Sequence, residues 1–172
     1  HARGVPSSET RNILVESARI ARGEITPLAD LDPTEYDAIV VPGGFGAAKN
    51  LCTYAFDGPD CTVDPDVQRV LEGARTASIP IGLCCIAPVL ASRVFGLDRG
   101  CTVTIGHDEA TASHVASMGA THQPCDIDEV CVDESNRIVT TPAYMLDAPI
   151  HEVFDGIGRM IERVLDFARQ PA

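Results

Sequence analysis

The chain has 172 residues, 45% hydrophobic and 22% charged, with a formal charge of −12 and a single lysine, Lys49, among its 13 basic groups. That length suits one domain with one substantial core, and a field of that sign repels phosphate backbones and anionic lipid, which argues against nucleic-acid and membrane roles. No apolar run approaches the ~20 residues needed to cross a bilayer, so the sequence reads as a soluble protein.

The first residues, His1 to Ser8, read as a polar loop with neither an initiator methionine nor an amphipathic presequence, so the chain is expected to continue a longer polypeptide. Ser8 or a neighbouring hydroxyl is then expected to cap a helix over residues 11–22, with Ile13, Leu14, Ala18 and Ala21 on one face and Gly23 as its stop. Residues 37–42 form a short continuous apolar run, the mark of a strand buried on both faces. The run ends in Gly43-Gly44-Phe45-Gly46, after which Ala47 to Leu51 can begin a helix. Asp57, Asp60 and Asp64 sit among prolines that suit a rigid surface loop better than a calcium site. Asp64-Pro65 supplies an N-cap and an N1 proline for a helix carrying Val67, Val70, Leu71 and Ala74.

The stretch Ile79-Pro80-Ile81-Gly82-Leu83-Cys84-Cys85-Ile86-Ala87-Pro88 is the most informative. An apolar segment of strand length delivers two cysteines to a sharp boundary before a helix-like run, which is the layout of a nucleophile elbow. There a thiol sits over the positive end of the following helix, beside free backbone N–H groups. Beyond it, residues 102–106 read as a strand, 108–118 as a helix closed by Gly119, and 129–141 as a hairpin turning at Glu134-Ser135-Asn136. Val153, Phe154, Ile157, Ile161, Val164, Leu165 and Ala168 mark the apolar stripe of a terminal helix.

Strand and helix alternate without a linker or repeat, which predicts one α/β domain with a mostly parallel sheet. In such sheets the site lies at the carboxyl ends of the strands, where Gly43-Gly44 and Cys85 both fall. His107, after the strand ending at Gly106, lies on the same edge and is either a partner of the thiol or a surface histidine. His114, His122 and His151 show no partner spacing. Tyr144 and Met145 either wall the pocket or pack in the core, the latter being the simpler reading. The glycine loop lacks both the G-x-G-x-x-G pattern and the Walker lysine-serine ending, so no nucleotide cofactor is expected. Seven cysteines, an odd number without a C-x-x-C pair, read as reduced thiols rather than a disulfide framework or a metal site.

Three segments in order, residues 39–51, the Cys85-Ile86-Ala87-Pro88 elbow, and Val139-Thr140-Thr141-Pro142-Ala143-Tyr144-Met145, resemble the enhancing-lycopene-biosynthesis family. It belongs to the PfpI-like branch of the class I glutamine amidotransferase superfamily, and the likeness runs from about Arg11 to the end of the chain. The resemblance implies a flavodoxin-like three-layer sandwich, dimeric, with Cys85 as nucleophile and Cys84 as its buried neighbour. It implies an oxyanion loop at Gly43-Gly44, with the N–H groups of Gly44 and Ile86 facing a developing negative charge; Asn50, beside that loop, reads either as a polar rim residue or as simply solvated. Relatives carry a strand, a helix and a second strand before the point where this chain begins, with a glutamate that bonds the cysteine. Residues 1–172 are accordingly expected to be one N-terminally incomplete domain, with the strands near Ile39 and Ile81 bordering a position filled by upstream residues, by a partner chain or by neither.

The implied activity is that of a cofactor-free glyoxalase, converting glyoxal to glycolate through a Cys85 hemithioacetal without metal; His107, placed by its strand edge and not by the resemblance, is the candidate to assist. The implied partners are a small aldehyde and a second copy of the chain, and the compartment is the cytoplasm, or the mitochondrion in a eukaryote. The alternative is a redox-sensing or regulatory protein linked to isoprenoid metabolism, in which the elbow thiol is oxidised rather than turned over. Glutamine amidotransfer is a weaker reading, because those enzymes use a late His-x-Glu and His151-Glu152 lacks that spacing.

Overall fold

The computed structural model describes residues 8–170, so the polar loop assigned to the first seven residues lies outside them. The chain divides into two units, His1–Leu31 and Asp32–Ala172. The first contains helix α1 (Ile13–Ile20), capped by the Asn12 side chain, which accepts from the Val15 amide. The helix is shorter than the sequence predicts and Ser8 does not cap it, because Asn12 stands immediately before Ile13 and can reach the free N–H groups of the first turn. Gly23, at φ 93°, donates to the Ala18 carbonyl and ends the segment as expected.

The second unit holds a four-stranded sheet in the order β1 (Ile39–Val41), β2 (Ile81–Cys84), β6 (Ile138–Thr141), β5 (Cys131–Asp133). β1, β2 and β6 are parallel, and β5 joins antiparallel through the hairpin that the sequence predicts. β2 and β6 are buried throughout. β1 is not: Val40 is 43% exposed, against the expectation of a strand covered on both faces. The cause is its position, since β1 has a strand partner on one side only among the described residues. The expectation about the sheet edge is corrected in the same way, because Ile39 pairs directly with Ile81 and no open position separates the two strands.

Helices cover both faces. Gly82 and Cys84 point toward helix α6 (Ile150–Ala168), whose Val164 and Met160 side chains occupy the space over Gly82. Ile81 and Leu83 alternate to the other face, which α3 (Pro65–Thr76) and α4 (Pro88–Phe95) cover. α3 begins as predicted, with Asp64 accepting from the amides of Asp66 and Val67 and with Val67, Val70, Leu71 and Ala74 all buried.

Two elements depart from the sequence pattern. The strand expected over residues 102–106 pairs only at β3 (Thr102–Val103), in parallel with β4 (Thr121–His122). Past Val103 the threonine hydroxyls replace the ladder: Thr140 accepts from the Thr104 amide at 2.8 Å and Thr104 from the Gly106 amide at 3.1 Å. α6 is rotated relative to its apolar stripe, burying Val153, Gly156, Met160, Val164 and Phe167 and leaving Phe154 75% and Leu165 43% exposed. Gly156 explains the rotation, since a Cβ there would stand 2.2 Å from the Ile127 carbonyl oxygen, so the bare side of the helix is the one that approaches the neighbouring loop.

Candidate active site

The carboxyl ends of β1 and β2 place two irregular turns against each other. β2 ends at Cys84, and Cys85 follows at φ 60°, a left-handed conformation that a residue with a Cβ adopts at a cost of about 1–3 kcal/mol. The strain is held by flanking hydrogen bonds: the Cys85 amide donates to the Thr141 carbonyl at 3.1 Å and the Ala87 amide to the Cys84 carbonyl at 3.1 Å. Pro88 then opens α4, where its missing N–H and fixed φ fit the first helical turn. Cys84 turns into the core, 7% exposed, where burial pushes its thiol pKa up and the Gly43 amide donates to its sulfur. The two adjacent cysteines therefore have opposite environments, one buried among α6 side chains and one half-buried at the mouth of a cavity.

The opposing turn explains its own sequence. A Cβ on Gly43 would lie 2.6 Å from the Cys85 Cβ and 2.7 Å from the Cys84 carbonyl oxygen, so only glycine lets the turn reach the elbow. Gly44 is at φ 87° with nothing within 4 Å of a Cβ, so there the requirement is conformational rather than steric. The Gly44 carbonyl accepts from the amides of Ala47 and Ala48, starting the helical turn Ala47–Leu51. The amides of Gly44 and Ile86 donate to no acceptor among the described residues. Unpaired N–H groups of this kind can hold a developing oxyanion.

The cavity over Cys85 has a volume of about 450 Å³ and is lined by Gly44, Phe45, Ala48, Tyr54, Ala55, Cys85, Ile86, Tyr144 and Met145. That size suits a small molecule, and the lining is mostly apolar. Tyr144 is 60% exposed and walls the cavity with Met145, which decides between the two readings of that pair against core packing. At the rim the Lys49 ammonium lies over the rings of Phe45 and Phe56 at 5.1 and 5.9 Å from their centroids.

Of the residues singled out from the sequence, Cys85, Gly44 and Ile86 line this cavity and Gly43 packs against the elbow. His107 does not line it: its Nε2 pairs with Asp126 at 3.3 Å on the surface, because the chain turns outward after Gly106. Asn50 is exposed and likewise does not line the cavity, since the turn Ala47–Leu51 presents Ala48 there instead. His151 is an exposed partner of Glu152 at the start of α6. Sequence reasoning missed the pair Tyr54 and His114, whose Oη and Nδ1 are 2.9 Å apart across 60 residues. Burial raises the Tyr54 hydroxyl pKa. Neither residue carries a local spacing signal; tertiary packing alone brings helix α2 (Tyr54–Asp57) against α5 (Glu109–Ser117). Among the described residues no group of three or more His, Cys, Asp or Glu side chains is arranged for a metal ion, and no helix is long and apolar enough to cross a membrane.

No family model matches the chain. It is 49% identical over 176 residues to the human glutamine amidotransferase-like class 1 domain-containing protein 3, mitochondrial, covering 96% of this chain and 65% of that protein. It is 38% identical to the zebrafish ES1 protein, mitochondrial, over 92% of this chain and 64% of that one. The chain thus spans just under two thirds of the length of these curated relatives. Among solved structures, an isoprenoid biosynthesis protein with an amidotransferase-like domain from Ehrlichia chaffeensis superposes with a TM-score of 0.89 at 33% identity, over 98% of this chain and 76% of that one.

Proposed function

The chain belongs to the class I glutamine amidotransferase-like family that includes the ES1 proteins and the Ehrlichia isoprenoid biosynthesis protein, and on that premise we propose that it is a cysteine-dependent enzyme acting on small 2-oxoaldehydes. The observation that carries the reading is the left-handed Cys85 at the mouth of an apolar cavity, opposite the free amides of Gly44 and Ile86.

The Cys85 thiolate attacks the aldehyde carbon of glyoxal, and the carbonyl electron pair moves to an oxygen held by the two amides. Protonation gives a hemithioacetal. Its carbinol proton passes to the adjacent carbon through an enediolate, leaving a 2-hydroxy thioester that water cleaves to glycolate and the free thiol. The proton shift needs a base, and among the described residues the titratable groups lining the cavity besides Cys85 are Tyr54 and Tyr144. The family resemblance assigns this step to a glutamate that hydrogen-bonds the cysteine. The working unit would be a homodimer, and the compartment the mitochondrion if the chain shares the address in its relatives' names. A second reading is a redox-sensing or regulatory role for the same thiol, supported by its half-buried position at the cavity mouth.

The test is glycolate formation from glyoxal by the full-length protein. Cys85→Ala should abolish turnover while shifting stability by less than about 1 kcal/mol, since it removes a half-buried sulfur only. Turnover unchanged in the mutant, with contaminating glyoxalases excluded, would refute the enzyme reading. Oxidation of Cys85 by peroxide without any turnover would favour the sensor.

A further inference from the structure

A second pair of thiols lies behind the cavity wall. Cys52 and Cys61 flank the segment that carries α2, and both are buried, at 3% and 0% exposure. The backbone draws them together: Cys52 and Val63 form an antiparallel bridge, the Thr53 amide donates to the Thr62 carbonyl at 3.0 Å, and the Asp64 amide to the Leu51 carbonyl at 2.9 Å. In that register Cys52 and Cys61 are diagonal neighbours, with Cβ atoms close enough for long or polarizable side chains to touch. The Cys52 thiol donates to the Ala47 carbonyl at 3.4 Å, and the Cys61 S–H is placed to donate to the Cys52 sulfur. Arg93 fixes the other side of Cys61, its Nε donating to the Cys61 carbonyl at 2.7 Å. Between the two cysteines, Tyr54 and Ala55 line the Cys85 cavity.

We propose that Cys52 and Cys61 form a redox-active dithiol, oxidised by a hydroperoxide to a disulfide that fastens the α2 wall of the cavity. The Cys52 thiolate attacks one peroxide oxygen and the O–O bond breaks, giving a sulfenic acid and a hydroxide, which takes up the proton the thiol released on ionising and leaves as one water. The Cys61 sulfur then displaces the sulfenic oxygen, its proton leaving with that oxygen as a second water, and the S–S bond forms. Two thiols are oxidised and one hydroperoxide is reduced. The roles follow from the hydrogen bonds: donation from Cys61 and from the Tyr54 amide brings Cys52 down to about 7, while the same contact pushes Cys61 up. Thiolate character makes Cys52 the attacking sulfur and Cys61 the resolving one. Near-complete burial restricts the reaction to oxidants of about the size of water.

The sequence provides a clean readout, because cleavage after Lys49 and Arg69 releases a peptide of residues 50–69 in which Cys52 and Cys61 are the only cysteines. The folded protein is exposed to hydrogen peroxide, quenched in acid, denatured with N-ethylmaleimide and digested without reduction. The peptide should appear two hydrogens lighter, with maleimide incorporation at both residues lower by about tenfold or more. Amide exchange at Tyr54 to Asp57 should slow, and with Cys61→Ser a dimedone-reactive sulfenic acid should accumulate at Cys52. Running the same series on Cys85→Ser separates this outcome from the site reading, since the disulfide should form there too. Full maleimide labelling of both residues under exposure that oxidises Cys85, or a disulfide joining either residue to another cysteine, would overturn the proposal.

Discussion

The two ends of the parallel strands are built on opposite terms. At the carboxyl ends, the backbone bends into a left-handed cysteine, two glycines serve because nothing larger fits or relaxes, and the amides of Gly44 and Ile86 are left without acceptors. At the amino ends the carboxylate of the hairpin is fully partnered, although Arg137, at φ 53°, keeps its buried Nε without an acceptor among the described residues. Asp133, only 7% exposed, accepts from the Thr102 amide, the Ser135 hydroxyl, and both the backbone and the side chain of Asn136. Burial alone would raise its pKa, but the donors from Asn136, Ser135 and Thr102 together hold it below the ordinary carboxylate range. That end also carries an open polar cavity of about 810 Å³, lined by Arg75, Asp98, Arg99 and Asn136 among others, and holds none of the residues that form the elbow. Left-handed residues stand at both ends, Cys85 and Ala143 at one and Ser78 and Arg137 at the other; what sets the elbow apart is that its strained residue and free backbone amides border a cavity.

The division can be tested from both sides. Gly43→Ala should have the largest effect, because a Cβ 2.6 Å from Cys85 and 2.7 Å from a backbone oxygen cannot be absorbed by side-chain motion. We expect a stability loss of about 3 kcal/mol in urea unfolding, and loss of preferential iodoacetamide labelling at Cys85. A folded variant with unchanged labelling would mean that the turn does not set the elbow. Asp133→Ala should cost roughly 2–3 kcal/mol by leaving several donors unpaired, yet leave Cys85 labelling unaltered.

Its pH dependence has a definite sign. Because the folded carboxyl titrates below the unfolded one, its contribution is present above the unfolded value of ~3.9 and disappears as pH falls through the lower folded value. Melting curves of wild type and Asp133→Ala should therefore converge below about pH 4; a constant gap would show that the carboxylate charge is irrelevant. Gly44→Ala should be mildest, at ~1 kcal/mol, since its φ of 87° is strained for alanine but its surroundings are empty. Equal losses at Gly43 and Gly44 would collapse the distinction between steric and conformational need.

Much of the elbow was legible because its causes are local. An apolar run, a cysteine and a proline three residues on describe a strand, a tight turn and the first turn of a helix, each dictated by neighbours in sequence. The α3 cap and the hairpin were readable for the same reason. α6 was misread because Phe154 and Leu165 fit the helical period, whereas the choice of face depended on Gly156 meeting Ile127 across a loop. Tyr54 and His114 carried no signal at all, being joined only when two helices pack.

By itself, then, the sequence determined that an apolar strand ends at the two cysteines and that α3 starts at Pro65 behind its Asp64 cap, because backbone preferences and capping act over a few residues, while the choice of Cys85 over Cys84 came from the family resemblance. Tertiary structure alone decided that β1 would be half-exposed, that His107 would turn to Asp126 instead of the thiol, and that Cys52 would meet Cys61 behind the cavity wall. Those outcomes depend on packing between segments distant in sequence, where a contact is set by the shape of both partners and no local pattern encodes either one.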